Sequence, residues 1–197
     1  MHVSPESPDL PGSPGSPASP GSPGSPGSPQ VPALRGLGAV FDHTAVAAPR
    51  VRDLLPIYLD LLGGTFLGGG DHPGGYRVMQ LTYPGGGKIE LMEPLAGSPF
   101  FDSFFELTRG RGGVHHLNFH VPDLDLAVSR LTGRGYRLHG LNTGDPRWRE
   151  VFLHPKEAHG VLIQLAQRGP RDDEPAPLLE DVLAGRGRGG NGIPSPA

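Results

Sequence analysis

Two histidines and two partner residues recur at matching places in two halves of the sequence. His43 and His116 each open an apolar, alternating stretch that ends at a proline six residues later. Glu90 follows His43 by 47 residues, and Gln164 follows His116 by 48. Imidazole nitrogens, a carboxylate and an amide oxygen make a mixed ligand set that suits a divalent transition metal ion such as Co, Mn, Ni, Fe or Zn. The spacing therefore predicts one metal site assembled from two equivalent halves.

The sequence around these residues predicts the elements that hold them. A segment with helical spacing of apolar residues follows each proline, over 54–62 and 124–131, and each segment stops at glycine. Further strands are expected at 76–83, 88–92, 136–138, 150–153 and 161–166. The predicted fold class is therefore α+β: two β-α-β-β-β modules, over about 39–97 and 113–168, form a curved mixed sheet that lines a cleft.

Alternation along the strands predicts which way the side chains point. His116, Asn118 and His120 share one face of their strand, and three apolar residues share the other. Glu90 and Gln164 are each flanked by apolar neighbours that point the opposite way. All four candidate ligands are therefore expected on the face away from the helices, where a curled sheet would bring them together.

Glycine and proline mark the limits of the folded part. The chain has 197 residues, of which 32 are glycine and 24 are proline. Proline falls at every third position from Pro5 to Pro32, a pattern typical of a solvated, polyproline-leaning linker. The sequence thus predicts a disordered tail over 1–32, a single domain over 33–168 and a second disordered tail over 169–197. Within this second tail, 178–183 could form one or two helical turns that dock on the core or on a partner.

Composition excludes several classes of protein. No apolar run approaches the roughly 20 residues of a membrane span and no secretory signal is recognised, so a soluble cytoplasmic protein is expected. The chain has no cysteine, which excludes disulfides, thiolate metal sites and cysteine nucleophiles. A nearly neutral core offers no electrostatic surface for nucleic acid. The expected partner is a small-molecule substrate, and the phenylalanines at 100–105 are expected in the core or in a homodimer contact.

Four stretches together resemble a known superfamily. They are FDHTAV from Phe41, KIELMEPL from Lys88, GVHHLNFHVPDL from Gly113 and FLHPKEAHGVLIQL from Phe152. These stretches resemble the vicinal oxygen chelate superfamily, also called the glyoxalase and bleomycin resistance superfamily, and within it methylmalonyl-CoA epimerases and glyoxalase-like proteins. The resemblance implies metal ligands at the starts of the two opening strands and in the two closing strands, at His43, Glu90, His116 and Gln164.

The sequence also departs from the pattern that this resemblance implies. Epimerases of this type use two carboxylates on opposite sides of a substrate carbon, and the corresponding positions here are Gln164 and Val78. Neither residue accepts a proton, which leaves Glu90 as the one carboxylate of the set. The sequence therefore favours a metal-dependent lyase or isomerase of glyoxalase type, in which Glu90 is both ligand and base and moves a proton on one face only, over a two-base epimerisation. The metal would stabilise an enediolate of a small oxo-acid, acyl thioester or thiol adduct.

Three residues outside the ligand set are predicted to contact the substrate. Asn118 and His120 share the strand face of His116, and Lys156 lies in a predicted turn where thioester-using relatives could meet phosphate groups. The same alternation predicts that His115 faces the opposite side. The glycine-rich run 68–75 is predicted to be a flexible hairpin loop at the mouth of the cleft.

Two other functions stay open on the sequence. A non-catalytic binding protein, like the drug-sequestering members of the superfamily, would fit the missing bases but not the intact ligand set. A ring-cleaving dioxygenase could hold iron on His43, His116 and Glu90. In such enzymes the carboxylate normally stands where this chain has Gln164, which disfavours this function.

Overall fold

Eight strands form one mixed sheet in the computed structural model of the protein, which describes residues 36–170 and 175–187. The strands are β1 (Val40–Ala47), β2 (Thr65–His72), β3 (Tyr76–Thr82), β4 (Lys88–Pro94), β5 (Gly113–His120), β6 (Leu138–Asp145), β7 (Trp148–Leu153) and β8 (Ile163–Arg168). Their order across the sheet is β2-β3-β4-β1-β5-β8-β7-β6. The predicted tail over 1–32 lies outside the described residues.

The helical segments are short and lie where the two proline signals place them. In the first half a 3-10 turn (Val51–Asp53) leads into a π-helical segment (Pro56–Leu61), where the proline lacks the backbone donor of a regular α-helix. The second half has a regular helix α2 (Leu124–Thr132), whose first turn is capped by the Asp123 carboxylate accepting from the Leu126 amide. Helix α1 (Asp102–Leu107) connects the halves. The predicted α+β fold with two β-α-β-β-β modules is confirmed.

The two modules meet at the centre of the sheet in a pseudo-two-fold arrangement. Opening strands β1 and β5 pair antiparallel, and each closing strand, β4 or β8, pairs parallel with the opening strand of its own module. Glu90 stands opposite Ala45 in one pair, and Gln164 stands opposite Asn118 in the other. Because the sheet curls, the equivalent faces of both modules turn toward one cleft.

The glycine run after the first helical segment is mostly strand. Gly68, Gly69 and Gly70 belong to β2 and all three are buried, so the prediction of a loop over 68–75 is wrong for this part. A Cβ atom on Gly69 would lie 2.3 Å from the Val78 carbonyl oxygen on β3. Glycine is required here because the neighbouring backbone occupies the space of a side chain. Only the end of the run, with Gly75 at φ +90°, forms the hairpin turn.

The last described segment also packs on the first module. Helix α3 (Leu179–Leu183) lies against β2, and its Val182 is fully buried beside Met79 and Leu81. The Arg77 guanidinium donates a hydrogen bond to the Leu183 carbonyl, 3.4 Å away. The predicted disordered tail over 169–197 is therefore wrong for this segment. The predicted docking of helical turns on the core is confirmed.

Aromatic residues between the modules form a third part of the core. Phe101 is fully buried, with the rings of Phe104 and Phe105 packed against it. Phe100 is more exposed and its ring lies 4.3 Å from that of Tyr76 at the edge of the cleft. Among residues 36–170 and 175–187, no helix has the length and apolar character needed to cross a membrane.

Candidate metal centre

Three of the four predicted ligands converge. One ligand atom from each of His43, Glu90 and His116 lies within 4.8 Å of the others, and all three residues are buried. His43 Nε2 lies 3.7 Å from Glu90 Oε1, and the two imidazole centroids are 5.7 Å apart. The Glu90 carboxylate also accepts a hydrogen bond from the Gln80 side chain at 2.9 Å, which fixes its orientation. The two halves of the sequence therefore place three of their candidate metal ligands next to one another.

The hydrogen bonding of the histidines fits a metal ion. The Nε2 atoms of His43 and His116 are buried and have no hydrogen-bond partner within the described part of the chain. Their Nδ1 atoms are engaged: His43 Nδ1 donates to Asp42 Oδ2 at 2.7 Å, and His116 Nδ1 lies 2.9 Å from His115 Nδ1. A ligand imidazole commonly has this arrangement, with one nitrogen held by a neighbour and the other presented to the metal. The residues present therefore fit a divalent metal ion.

Burial keeps His116 in the neutral form that a metal ion requires. Burial lowers the pKa of His116 well below its usual range, His115 and His43 lower it further, and the nearby Gln164 side chain opposes part of this effect. The ring is therefore neutral near pH 7, and the lone pair that a metal ion requires is available.

Gln164 lies beside His116 with its amide held from two sides. Its Oε1 accepts from Asn118 Nδ2 at 2.6 Å, and its Nε2 donates to Glu150 Oε2 at 2.5 Å. Asn118 is fully buried under this amide and is not among the residues that line the cleft. The predicted fourth ligand therefore lines the same cleft as Glu90 and His116, and its amide orientation is set by Asn118 and Glu150.

A β-bulge places Asp42 beside His43, although strict alternation along the strand would put the two side chains on opposite faces. The register between β1 and β5 shifts between Phe41 and His43, so that Asp42 is the extra residue and its side chain reaches the same side as that of His43. Its carboxylate, with 8% of the side chain exposed, pairs with Lys88, His120 and Arg168 as well. Burial raises its pKa, but the hydrogen bonds from His120, His43 and Lys88 and the charge of Arg168 outweigh burial and hold the pKa well below the usual range.

A second bulge lies at the equivalent place in the other module. The register shifts again where Ala45 faces His116 and Val46 faces Val114, leaving His115 as the extra residue. The prediction that His115 faces away from the cleft is therefore wrong. Its ring lies between Phe101 and Phe104 on one side and His116 on the other, and burial lowers its pKa to about 4.

This partly buried histidine makes the metal-free protein sensitive to acid. Its pKa is about 4 when folded and about 6.5 when unfolded, so the unfolded chain binds more protons between these values. The contribution of His115 is complete above pH 6.5 and is lost as the pH falls toward 4. We expect the free energy of unfolding in chelator to fall by about 2 to 3 kcal/mol over this range from His115 alone. Denaturant titrations should show a shallower pH slope for His115→Gln than for wild type, and equal slopes would contradict this expectation.

The cleft in front of the ligands holds a second carboxylate. Its lining combines an apolar wall with polar groups from both modules: Tyr76, Val78, Gln80, Glu90, Met92, Phe100, His115, His116, Trp148, Glu150, Phe152, Gln164 and Arg168. Glu150 accepts from Trp148 Nε1 at 2.8 Å as well as from Gln164. The prediction that Glu90 is the one carboxylate of this constellation is therefore wrong. The pairing of β7 with β8 is the signal that identifies Glu150. Gln164 pairs with Phe152, and Glu150 stands two residues before Phe152, so its side chain points to the same face of the sheet.

The other two predicted substrate residues, His120 and Lys156, are not among the residues that line the cleft. His120 contacts the Asp42 carboxylate, with 3.2 Å from Nε2 to Oδ1, and its ring meets that of Trp148. Lys156 is exposed in the turn after β7 and is not among the residues that line the cleft. Their contact with substrate stays a prediction.

Comparison with known proteins agrees with this architecture. The family model for the glyoxalase/bleomycin resistance protein/dioxygenase superfamily matches residues 42–152. The ethylmalonyl-CoA/methylmalonyl-CoA epimerase of Cereibacter sphaeroides is 35% identical over 133 residues, covering 64% of this chain and 96% of that protein.

Two solved structures show the same likeness. The methylmalonyl-CoA epimerase of Mycobacterium tuberculosis superposes with a TM-score of 0.58 at 34% identity, covering 66% of this chain and 88% of that one. A variant of the Streptomyces coelicolor methylmalonyl-CoA epimerase, in complex with 2-nitronate-propionyl-CoA, superposes with a TM-score of 0.55 at 25% identity, covering 66% and 97%. The chain therefore belongs to the glyoxalase/bleomycin resistance protein/dioxygenase superfamily.

Proposed function

We propose that the protein is a metal-dependent epimerase that inverts the α-carbon of a malonyl-type acyl-CoA thioester such as methylmalonyl-CoA. The observation that carries this proposal is the convergence of His43, Glu90 and His116 in a cleft that also holds Glu150. Relatives named as methylmalonyl-CoA epimerases, one of them bound to a CoA compound, support the substrate class. His43, Glu90, His116 and Gln164 would hold one divalent transition metal ion.

The residues of the cleft suit proton transfer at a carbon next to a carbonyl. A bound divalent ion would supply Lewis acidity that makes the α-proton of a chelating substrate easier to remove. Gln80 orients the Glu90 carboxylate, which accepts or returns a proton at its oxygen. Tyr76, Val78 and Phe100 form an apolar wall that excludes water from the reacting carbon.

The test is epimerisation of one methylmalonyl-CoA stereoisomer, followed by NMR in D2O, with metal-loaded and chelator-treated protein. We expect about one equivalent of bound metal, activity of the loaded protein, and its loss on chelation and return on adding Co²⁺. Protein that binds neither Co²⁺, Mn²⁺, Ni²⁺, Fe²⁺ nor Zn²⁺, or that leaves the stereoisomer unchanged when loaded, contradicts the proposal. Binding of the thioester without turnover would instead identify a binding protein, and oxygen consumption with Fe²⁺ and catechols would identify a dioxygenase.

A further inference from the structure

The pseudo-two-fold relation between the modules shows which positions of the cleft are equivalent. The closing strands IELME and IQLAQ place Glu90 and Gln164 at one pair of equivalent positions. In the first module Val78 pairs with Met92, two residues beyond Glu90. In the second module Glu150 pairs with Ala166, two residues beyond Gln164. Glu150 therefore occupies in the second module the position that Val78 occupies in the first.

Each module thus supplies one carboxylate to the cleft. The first module supplies Glu90 from its closing strand, and the second supplies Glu150 from the strand next to its closing strand. The sequence resemblance implies the reverse distribution, with carboxylates at the positions of Gln164 and Val78. One amide and one apolar residue fill those positions here, so the same number of carboxylates is present with the modules exchanged.

Glu150 is placed to act inside the cleft. One of its oxygens is held by Gln164 and by the Trp148 indole, so the carboxylate has a fixed position next to the ligand set. Glu90 and Glu150 both line the cleft, together with Tyr76 on the wall formed by the first module. Glu90 and Glu150 therefore approach one space from the two modules.

We propose that Glu90 and Glu150 are the two catalytic carboxylates of the reaction and act on opposite faces of the substrate α-carbon. This inference rests on the proposed function. One carboxylate takes the α-proton, and the electron pair of the broken C–H bond moves onto the thioester carbonyl to give an enolate. The other, in its carboxylic acid form, donates its proton to the opposite face of the same carbon, so the new C–H bond has inverted configuration. The protonated and ionised states of the two acids are exchanged by the step and are reset by proton exchange with solvent.

The test compares Glu150→Gln with wild type in D2O, starting from each stereoisomer separately. Losing one acid of a pair should lower epimerisation by about 100- to 10,000-fold. Deuterium exchange without inversion should persist for one stereoisomer and be lost for the other. Metal affinity, measured by titration with Co²⁺, should stay within about threefold of wild type, because Glu150 is not a proposed ligand. The matched control is Glu106→Gln, an exposed position on α1 that should leave every readout unchanged.

Three results would overturn the assignment. The first is epimerisation by Glu150→Gln at the wild-type rate, which rejects Glu150 while the proposed function stands. The second is loss of Co²⁺ affinity in proportion to activity, which makes Glu150 a positioning residue that acts through Gln164. The third is equal loss of exchange from both stereoisomers with metal affinity intact. Failure of the wild-type protein to epimerise at all would instead reject the proposed function.

A relocation variant keeps the test decisive if Glu150→Gln does not fold. In the double variant Glu150→Val with Val78→Glu, the carboxylate moves to the equivalent position of the first module, on the same module as Glu90. We expect exchange of one stereoisomer and no inversion, because no acid serves the other face. Inversion by this variant at the wild-type rate would show that the position of the second carboxylate does not matter and would overturn the proposal.

Discussion

Replacing His116 by alanine is expected to weaken binding of the proposed metal ion by a factor on the order of 100 to 1000, since the binding free energy of such sites is shared among about four ligands. His116 is buried, its Nδ1 is engaged by His115, and its Nε2 has no partner in the described part of the chain. At metal concentrations that just saturate wild type, epimerisation should fall at least as far. Competition with a coloured chelator measures the affinity, and NMR of methylmalonyl-CoA measures the activity.

The control for this variant is a histidine in a different setting. His139 is exposed on β6, with its ring beside that of His154, so His139→Ala should leave affinity and activity unchanged. Circular dichroism would establish that His116→Ala is folded. A folded His116→Ala that binds Co²⁺ as tightly as wild type would remove His116 from the ligand set.

Asp42→Asn is expected to lower both stability and metal affinity. The substitution keeps the shape of the side chain and removes the negative charge that Lys88, His120 and Arg168 share. Because the Lys88 side chain is only 7% exposed, its ammonium would be left as a poorly compensated buried charge, at a cost of about 3 to 5 kcal/mol in the free energy of unfolding. Replacing the charged acceptor of His43 Nδ1 by a neutral amide, which has one acceptor oxygen instead of two, should also weaken metal binding by about 10- to 100-fold.

Denaturant titration of the chelator-treated protein measures the effect of Asp42→Asn on stability separately from its effect on metal affinity. A matched surface pair serves as control: the Asp125 carboxylate, 75% exposed, accepts from Arg149 at 2.7 Å. Asp125→Asn should cost less than about 1 kcal/mol because solvent screens that pair. If Asp42→Asn were as mild as Asp125→Asn, the charged network behind His43 would have no structural role.

The duplication and the candidate ligand set were readable from sequence because they depend on local patterns. Alternation along a regular strand placed Glu90 and Gln164 on one face, and both line the cleft; spacing within each half matched His43 with His116, and these two residues converge with Glu90. These features need only neighbouring residues and a repeat, which a single chain displays.

What the sequence did not show depends on contacts between distant strands. Asp42 and His115 follow strict alternation in the sequence, and only the pairing of β1 with β5 turns each into a bulge. Glu150 became visible as a cleft residue through its register with β8. The glycines around Gly69 are typical of a loop. Glycine is required at this buried strand position because the Val78 carbonyl on the neighbouring strand leaves no room for a side chain. In each case a non-local partner decides the geometry.

The docking of helix α3 bears on the order in which the chain can fold. Val182 and Leu183 complete the same apolar cluster as Met79, Leu81 and Leu91, so the core of the first module includes residues about a hundred positions later in the chain. During synthesis the first module is exposed well before its last core residues are made. Its glycine-rich strand β2 stays an open sheet edge for that interval. The duplicated modules are therefore not two independent folding units, and the domain reaches its final packing only when its C-terminal helix has docked.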